Sequence, residues 1–200
     1  MSDDPYVARL HAHYAPLLRD HGDSHRALDW GSERSQQLRF RILTQAIDLP
    51  ARSVLDVGCG MGHLTDALDA SGHTGAYLGV DALAAMVDAA RARRPDRRFE
   101  QLTGGVEPLP PADVVLGSGL FTFADQASLE ATIRAMFAAC RISTAVNALS
   151  TWGDAPEPGE FAVDPAALFA FGRTLTPWVT VRHDYLPHDC TLILYREPQG

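Results

Sequence analysis

The chain has 200 residues, of which 46% are hydrophobic and 21% charged, and this length and balance predict one compact domain rather than two. Its 17 basic and 25 acidic residues leave a formal net charge of -8, which argues against broad binding to a nucleic-acid backbone. Cys59, Cys140 and Cys190 lie far apart without a CxxC pair, so neither a disulfide framework nor a zinc knuckle is expected. No signal-peptide pattern or bilayer-length apolar run is present, so we expect a cytoplasmic protein without membrane or nucleic-acid partners.

The first quarter of the chain is predicted to be helical. Apolar residues at helical spacing predict a helix over residues 4–20 that ends near Gly22, and a second over residues 34–47 with Ser32 as its N-cap. Pro50 stops the second helix. We expect residues 1–50 to form a helical lid on the rest of the domain.

Residues 51–150 alternate between short apolar runs and helical patterns. This alternation predicts a parallel sheet with helices on both faces and right-handed crossovers. The predicted strands are 53–57, 76–80, 98–102, 113–116 and 143–150, and the predicted helices are 64–70, 83–93 and 126–141.

Residues 151–200 have a different character. A loop rich in Pro and Gly precedes a helix over residues 164–174, which Asp164 and Pro165 open as N-cap and first helical residue. Two strands, 179–185 and 190–196, then follow in succession as a hairpin. The predicted fold class is therefore a single α/β domain, Rossmann-like, with a mainly parallel seven-stranded sheet and an antiparallel C-terminal hairpin.

The strongest motif is VLDVGCGMGH at residues 54–63, in which a buried strand enters a glycine-rich turn that opens a helix. Its spacing is GxGxG, whereas the dinucleotide fingerprint needs GxGxxG and here has His63 at the sixth place. The next strand ends in YLGVD, where the Asp81 carboxylate suits both hydroxyls of a ribose. An adenosine-containing ligand is implied. The alternatives are a tight turn without a ligand and, for Asp81, a helix N-cap.

Together with ADVVLGSG at residues 112–119, these motifs resemble those of the class I S-adenosylmethionine-dependent methyltransferases. The resemblance implies S-adenosylmethionine as cofactor. It places the glycine turn at the methionine moiety, one carboxylate near the ammonium, another on the ribose and two side chains beside the adenine. The corresponding residues are Gly58 and Gly60, Asp56, Asp81, and Ala82 with Met86.

Three further cofactor contacts are expected with a looser fit to the family pattern. Family members often have an Asp after the third strand, but this chain has Thr103 and Gly104 there, and a Thr hydroxyl can still meet the adenine amino group. Ser118 follows the fourth strand as part of the cofactor wall. Arg39 suits the methionine carboxylate, against the alternative of a solvated helix face.

The acceptor site is sought beyond the carboxyl ends of the strands. His183 and Tyr185 lie two residues apart in the hairpin, so we expect both on one face, where they orient an acceptor or remove its proton. The alternative is a satisfied hydrogen-bond network at the sheet edge. A metal site of His183, His188 and Asp189 is the weakest interpretation, because turn histidines rarely bind a metal without further donors.

Four other residues are candidate acceptor contacts because they lie in the expected lid or beyond the expected sheet end: Tyr14, Trp30, Asn147 and His188. The resulting prediction is an enzyme, monomeric or homodimeric, that moves a methyl group to an oxygen or nitrogen of a small molecule. Rival predictions are a non-catalytic S-adenosylmethionine-binding partner or regulatory protein and a nicotinamide-dependent oxidoreductase. No NPPY-like tetrad follows the fourth strand, which disfavours methylation of nucleic-acid bases.

Overall fold

The computed structural model describes residues 5–45, 50–103 and 108–199. The helices are α1 Pro5–His21, α2 Glu33–Gln45, α3 Leu64–Ala70, α4 Ala84–Arg93, α5 Gln126–Ala139 and α6 Pro165–Arg173, with a short 3-10 helix at His25–Leu28. The strands are β1 Val54–Val57, β2 Tyr77–Asp81, β3 Arg98–Gln101, β4 Ala112–Gly117, β5 Cys140–Ser150, β6 Ala162–Val163, β7 Val179–Arg182 and β8 Asp189–Tyr195.

The strands form one mixed sheet in the order β3-β2-β1-β4-β5-β8-β7, and β6 pairs with β5 outside this path. β1 to β6 pair in parallel, whereas β8 pairs antiparallel with both β5 and β7. The Rossmann-like class and the antiparallel C-terminal hairpin are thereby confirmed. The strand order reverses between β1 and β4, which is where α/β sheets of this kind bind ligands.

Alternating side chains of the central strands bury two separate cores on the two faces of the sheet. Leu55 of β1 and Val115 of β4 pack with residues of α5 and α6 on one face. Val54 and Leu116 pack with residues of α2, α3 and α4 on the other. This double burial fixes the carboxyl ends of β1, β2 and β4 beside one another.

α1 begins and ends, and α2 begins, within one residue of the predicted positions, whereas the predicted end of α2 at residue 47 lies outside the described residues. Ser32 Oγ accepts a hydrogen bond from the Ser35 backbone N–H at the start of α2. Gly22, at φ +55°, follows the last residue of α1. Residues of α1 and the 3-10 helix pack on Met61 in the glycine turn and on Met86 in α4. α1 therefore lies against the cofactor motif.

The hairpin differs from its prediction. β7 ends at Arg182 rather than at residue 185, so His183 and Tyr185 lie in the connection to β8 and not on one face of a strand. The last ladder pair is Arg182 with Thr191, which leaves residues 183–188 free to fold toward the end of β5. The short β6 and the start of β5 at Cys140, directly after α5, are also unpredicted.

Candidate active site

The glycine turn after β1 presents bare backbone at the sheet end. Gly58 and Gly60 have φ of +66° and +51°, a region that side chains with a Cβ disfavour. A Cβ on Gly58 would lie 2.1 Å from Leu120 Cδ2, so a larger residue there would have to displace the Leu120 side chain. The N–H groups of Gly58 and Cys59 both donate to the Val80 carbonyl, which ties the turn to β2.

Asp81, the last residue of β2, connects this turn to the start of α4. One carboxylate oxygen accepts the Gly60 N–H at 2.9 Å and the other accepts the Leu83 N–H at 2.8 Å. Burial raises the pKa of the Asp81 carboxyl, and these two hydrogen bonds partly offset the increase. Asp81 is not the N-cap of α4, which is Leu83, but its carboxylate joins the glycine turn to the residue at that N-cap. Asp81 also lines the cavity described below, where its remaining lone pairs suit ribose hydroxyls.

Asp56 lies one residue before the end of β1 and is 2% exposed. It accepts a 2.8 Å hydrogen bond from the Tyr77 hydroxyl. Burial raises the pKa of Asp56 to about 7, the Tyr77 hydrogen bond opposes this increase, and the nearby Asp81 adds to it. A cation in the cavity therefore gains most when Asp56 is ionised.

A cavity of about 1270 Å³ opens above these groups. Single small-molecule pockets span about 300–1,000 Å³, so this cavity is large enough for a cofactor and an acceptor together. It brings together eleven of the predicted site residues: Tyr14, Trp30, Arg39, Asp56, Gly58, Gly60, Asp81, Ala82, Met86, Ser118 and His188.

Four described site residues of the prediction do not line the cavity, and a fifth is not described. Thr103 is exposed, and Gly104 lies outside the described residues. Asn147 is buried behind Ser118 and accepts its hydroxyl hydrogen at 2.6 Å. His183 and Tyr185 lie in the hairpin connection, away from the lining.

The two predicted catalytic residues have partners within the protein. His183 Nε2 lies 2.8 Å from Ser150 Oγ, and its ring lies 5.2 Å from that of Trp152. The Tyr185 hydroxyl lies 2.8 Å from Thr191 Oγ1, and burial raises its pKa. These contacts form a hydrogen-bond network of the kind in the alternative interpretation, and β7 ends before the two side chains could share a strand face. A catalytic role for His183 and Tyr185 stays a prediction.

α1 and the following segment cover the cavity from above. The Tyr6 hydroxyl donates to the Leu120 carbonyl at 3.2 Å, and Arg9 donates to the Gly159 carbonyl at 3.2 Å. Burial, with smaller contributions from nearby acidic groups, raises the pKa of Tyr14. These contacts place α1 across part of the cavity, next to the loops after β4 and β5.

His63 joins the glycine turn to the same covering segment. Its Nε2 lies 2.7 Å from Asp23 and its Nδ1 lies 3.3 Å from the Gln36 amide. It makes no side-chain cap hydrogen bond at the start of α3. His63 is thus a connector between lid and turn, a role that the sequence did not indicate.

The far end of the cavity contains residues that sequence reasoning missed or placed elsewhere. Arg39 of α2 forms a buried ion pair with Asp189 at the start of β8, and its guanidinium lies 4.5 Å from the Trp30 ring. Glu157 and Glu160 line the rim from the loop after β5. No local pattern could have signalled these residues, because they meet only through the tertiary fold.

Comparison with known proteins gives the family. The model of a methyltransferase domain family matches residues 54–142, from β1 into the start of β5. A Mycobacterium tuberculosis protein named as a methyltransferase is 32% identical over 152 residues, which cover 71% of this chain and 92% of that protein. The chain belongs to the class I S-adenosylmethionine-dependent methyltransferases. Its cofactor is S-adenosylmethionine, and it is an enzyme of the methyltransferase class.

This methyltransferase also resembles one enzyme over part of its sequence and another in its fold. The trans-aconitate 2-methyltransferase of Rhodopseudomonas palustris is 34% identical over 103 residues, but the match spans only 46% of this chain and 40% of that enzyme. The magnesium protoporphyrin IX methyltransferase of Synechocystis, solved with bound S-adenosylhomocysteine, superposes with a TM-score of 0.70 at 13% identity over 97% of this methyltransferase and all of that chain. The second likeness shows the fold alone.

Membrane-spanning helices and metal-binding clusters are both absent from the described residues of this methyltransferase. None of its described helices has the length and apolarity needed to cross a membrane. Within the same residues, no three His, Cys, Asp or Glu side chains converge as a metal site, so His183, His188 and Asp189 do not form one.

Proposed function

We propose that this methyltransferase transfers the methyl group of S-adenosylmethionine to an oxygen or nitrogen atom of a small molecule. The observation that carries the proposal is one covered cavity of about 1270 Å³ that extends from the glycine turn to the hairpin. Its wall has the donor set for the cofactor at one end and Phe121 and Phe123 beyond it.

The cofactor end fits S-adenosylmethionine by its chemistry. Gly58 and Gly60 leave a cradle that a Cβ would fill, and Asp81 offers carboxylate oxygens for hydroxyl groups. Asp56 is the buried carboxylate for the ammonium group. Ala82 and Met86 give the apolar sides of an adenine site, and the exposed Thr103 is the remaining candidate at its edge.

The bound cofactor supplies an electrophilic methyl group on a positively charged sulfur. The protein has two tasks beside it: to align the acceptor atom with that methyl group and to exclude water. Tyr6 and Tyr14 of α1, with Trp30, form the cover. Ser118 donates its hydroxyl hydrogen to Asn147, so its free lone pairs accept a hydrogen bond from a ligand in the cavity.

A small acceptor is supported by the size of the cavity, about 1270 Å³, and by the net charge of -8, which disfavours nucleic acid. The partial match to trans-aconitate 2-methyltransferases, named for a small-molecule substrate, agrees with this class of acceptor.

Calorimetry with S-adenosylmethionine and S-adenosylhomocysteine, with NAD as the control ligand, tests the cofactor end. We expect micromolar binding of both adenosyl ligands and none of NAD. A screen of small acceptors with methyl-labelled cofactor then tests transfer, with Asp81→Ala as the impaired variant and Asp88→Ala, an exposed change on α4, as its control. Labelling of added protein or RNA in preference to any small molecule would contradict the proposed acceptor class.

A further inference from the structure

Arg39 lies on the side of the cavity away from the cofactor motif. Its ion-pair partner Asp189 begins β8, which is separated from β1 by β4 and β5. Three strand spacings of about 4.8 Å place Asp189 roughly 14 Å from the β1 end across the sheet. Val57, the last residue of β1, is level with Gly117 of β4 and, through it, with Val146 of β5. Asp189 pairs with Leu149, which is three residues farther along β5. The cofactor crevice is at β1 and β4, so Arg39 faces the remaining space.

The Arg39 guanidinium is buried but incompletely bonded. Arg39 is 6% exposed; its Nη2 is paired with the Asp189 carboxylate, and its Nη1 lies 3.4 Å from Ser35 Oγ. Asp189 is 1% exposed, and apart from Arg39 its oxygen in the ion pair has no hydrogen-bond partner among the described residues. A buried guanidinium has five donors, and leaving them unused is costly. The unused donors border the cavity, which Arg39 lines.

We propose that Arg39 is the anchor for a carboxylate group of the methyl acceptor, and that Asp189 takes up a proton when this carboxylate binds. The inference rests on the proposed function, because it assigns the acceptor end of the same cavity. It also moves Arg39 from the predicted contact with the cofactor's methionine carboxylate to the acceptor. An organic acid fits because a carboxylate matches the guanidinium fork in two parallel hydrogen bonds.

The ion pair explains why Asp189 would take up a proton when a carboxylate binds Arg39. While Asp189 is ionised it neutralises Arg39, so an incoming anion gains little; once protonated, Asp189 leaves the guanidinium charge to the ligand. The groups that face Asp189 are Arg39 from α2 and, from the hairpin connection, His188 at 4.0 Å and Tyr185. Burial raises the pKa of Asp189 to about 6 and Arg39 opposes the increase, so protonation is accessible near neutral pH. Trp30, stacked on Arg39, holds the guanidinium in place.

The test uses phenylacetate and phenylacetamide, which have the same shape and differ in charge. Each is titrated by calorimetry into the full-length protein saturated with S-adenosylhomocysteine, in two buffers of different ionisation enthalpy. We expect phenylacetate to bind at least about tenfold more tightly than the amide at about pH 6, with uptake of at most about half a proton, because about half of Asp189 is already protonated at that pH. The variants are Arg39→Leu, Asp189→Asn and the control Arg41→Leu, an exposed change on the same helix.

Arg39→Leu is expected to lose phenylacetate binding, whereas Asp189→Asn is expected to strengthen it at about pH 7.5 and to abolish proton uptake. If Arg39→Leu fails to fold, the stronger phenylacetate binding expected of Asp189→Asn still tests the inference. The inference is overturned if wild type binds both probes equally or binds no phenylacetate at millimolar concentration. It is also overturned if Arg39→Leu weakens S-adenosylhomocysteine and spares phenylacetate, which would place Arg39 at the cofactor. Wild type that fails to bind S-adenosylhomocysteine would instead refute the proposed function.

Discussion

Asp56 gives the sharpest prediction, because its protonation and cofactor binding are expected to compete. With a pKa of about 7 in the free protein, Asp56 is mostly protonated at about pH 6 and mostly ionised at about pH 8. If the cofactor's ammonium requires the ionised carboxylate, the fraction competent to bind changes from about one tenth to about nine tenths. The affinity for S-adenosylhomocysteine should therefore rise about tenfold between these pH values.

The assay is calorimetric titration of S-adenosylhomocysteine at both pH values, with wild type, Asp56→Asn and Asp88→Asn. Asn keeps the shape of Asp56 and an oxygen for the Tyr77 hydroxyl but does not titrate. The variant should bind more weakly and lose the tenfold dependence, whereas Asp88→Asn, on the exposed face of α4, should behave as wild type. Equal wild-type affinities at the two pH values, or an unchanged dependence in Asp56→Asn, would refute the reasoning.

The same carboxyl fixes the sign of a stability change. Its pKa is raised above the ordinary value of 3.8, so the folded state binds the proton more tightly than the unfolded state does. The stabilisation is therefore present in full at low pH and is lost as pH rises from about 4 to about 7. The change for Asp56 alone is on the order of 4 kcal/mol, from about three pKa units. Urea unfolding at several pH values should show that the unfolding free energy of Asp56→Asn depends less steeply on pH than that of the wild type.

Three other predictions concern single groups. Gly58→Ala should destabilise the fold by about 1–3 kcal/mol in urea unfolding, from its positive φ and the Leu120 contact, and should weaken S-adenosylhomocysteine binding. Asp81→Ala should reduce that affinity about 10- to 100-fold in calorimetry, as for a lost charged hydrogen bond; unchanged affinity would remove the ribose assignment. His183→Ala and Tyr185→Phe should lower the unfolding free energy by about 1 kcal/mol and leave cofactor affinity intact; loss of turnover with an identified acceptor, at unchanged stability, would restore the catalytic interpretation.

The parallel part of the fold was predictable because its signals are local. Short apolar runs and helical patterns alternate through the core, and observed bounds such as those of α3 and α4 agree within a residue. The errors occur where a local pattern is absent or continues past a boundary set by tertiary contacts. β6 has two residues, too few for a periodic signal. The alternation in 179–185 does not end at Arg182, but pairing with β8 does.

The two ends of the cavity differ in the same way, which explains why the pairing of Arg39 with Asp189 could not be predicted from the sequence. The cofactor end is a strand, a turn and the next strand end, so Asp56, Gly58 and Asp81 meet within about one quarter of the sheet, and their spacing in the sequence is enough to find them. At the acceptor end, Arg39 contacts Asp189, which is 150 residues away along the chain. Asp189 begins a strand that pairs antiparallel with β5, and the register of that pairing cannot be read from the sequence. A pattern of residue types directly constrains contacts between a strand, its turn and the next strand. The contact of Arg39 with Asp189 depends on packing of the whole domain, so the acceptor can differ among methyltransferases that keep the same glycine turn.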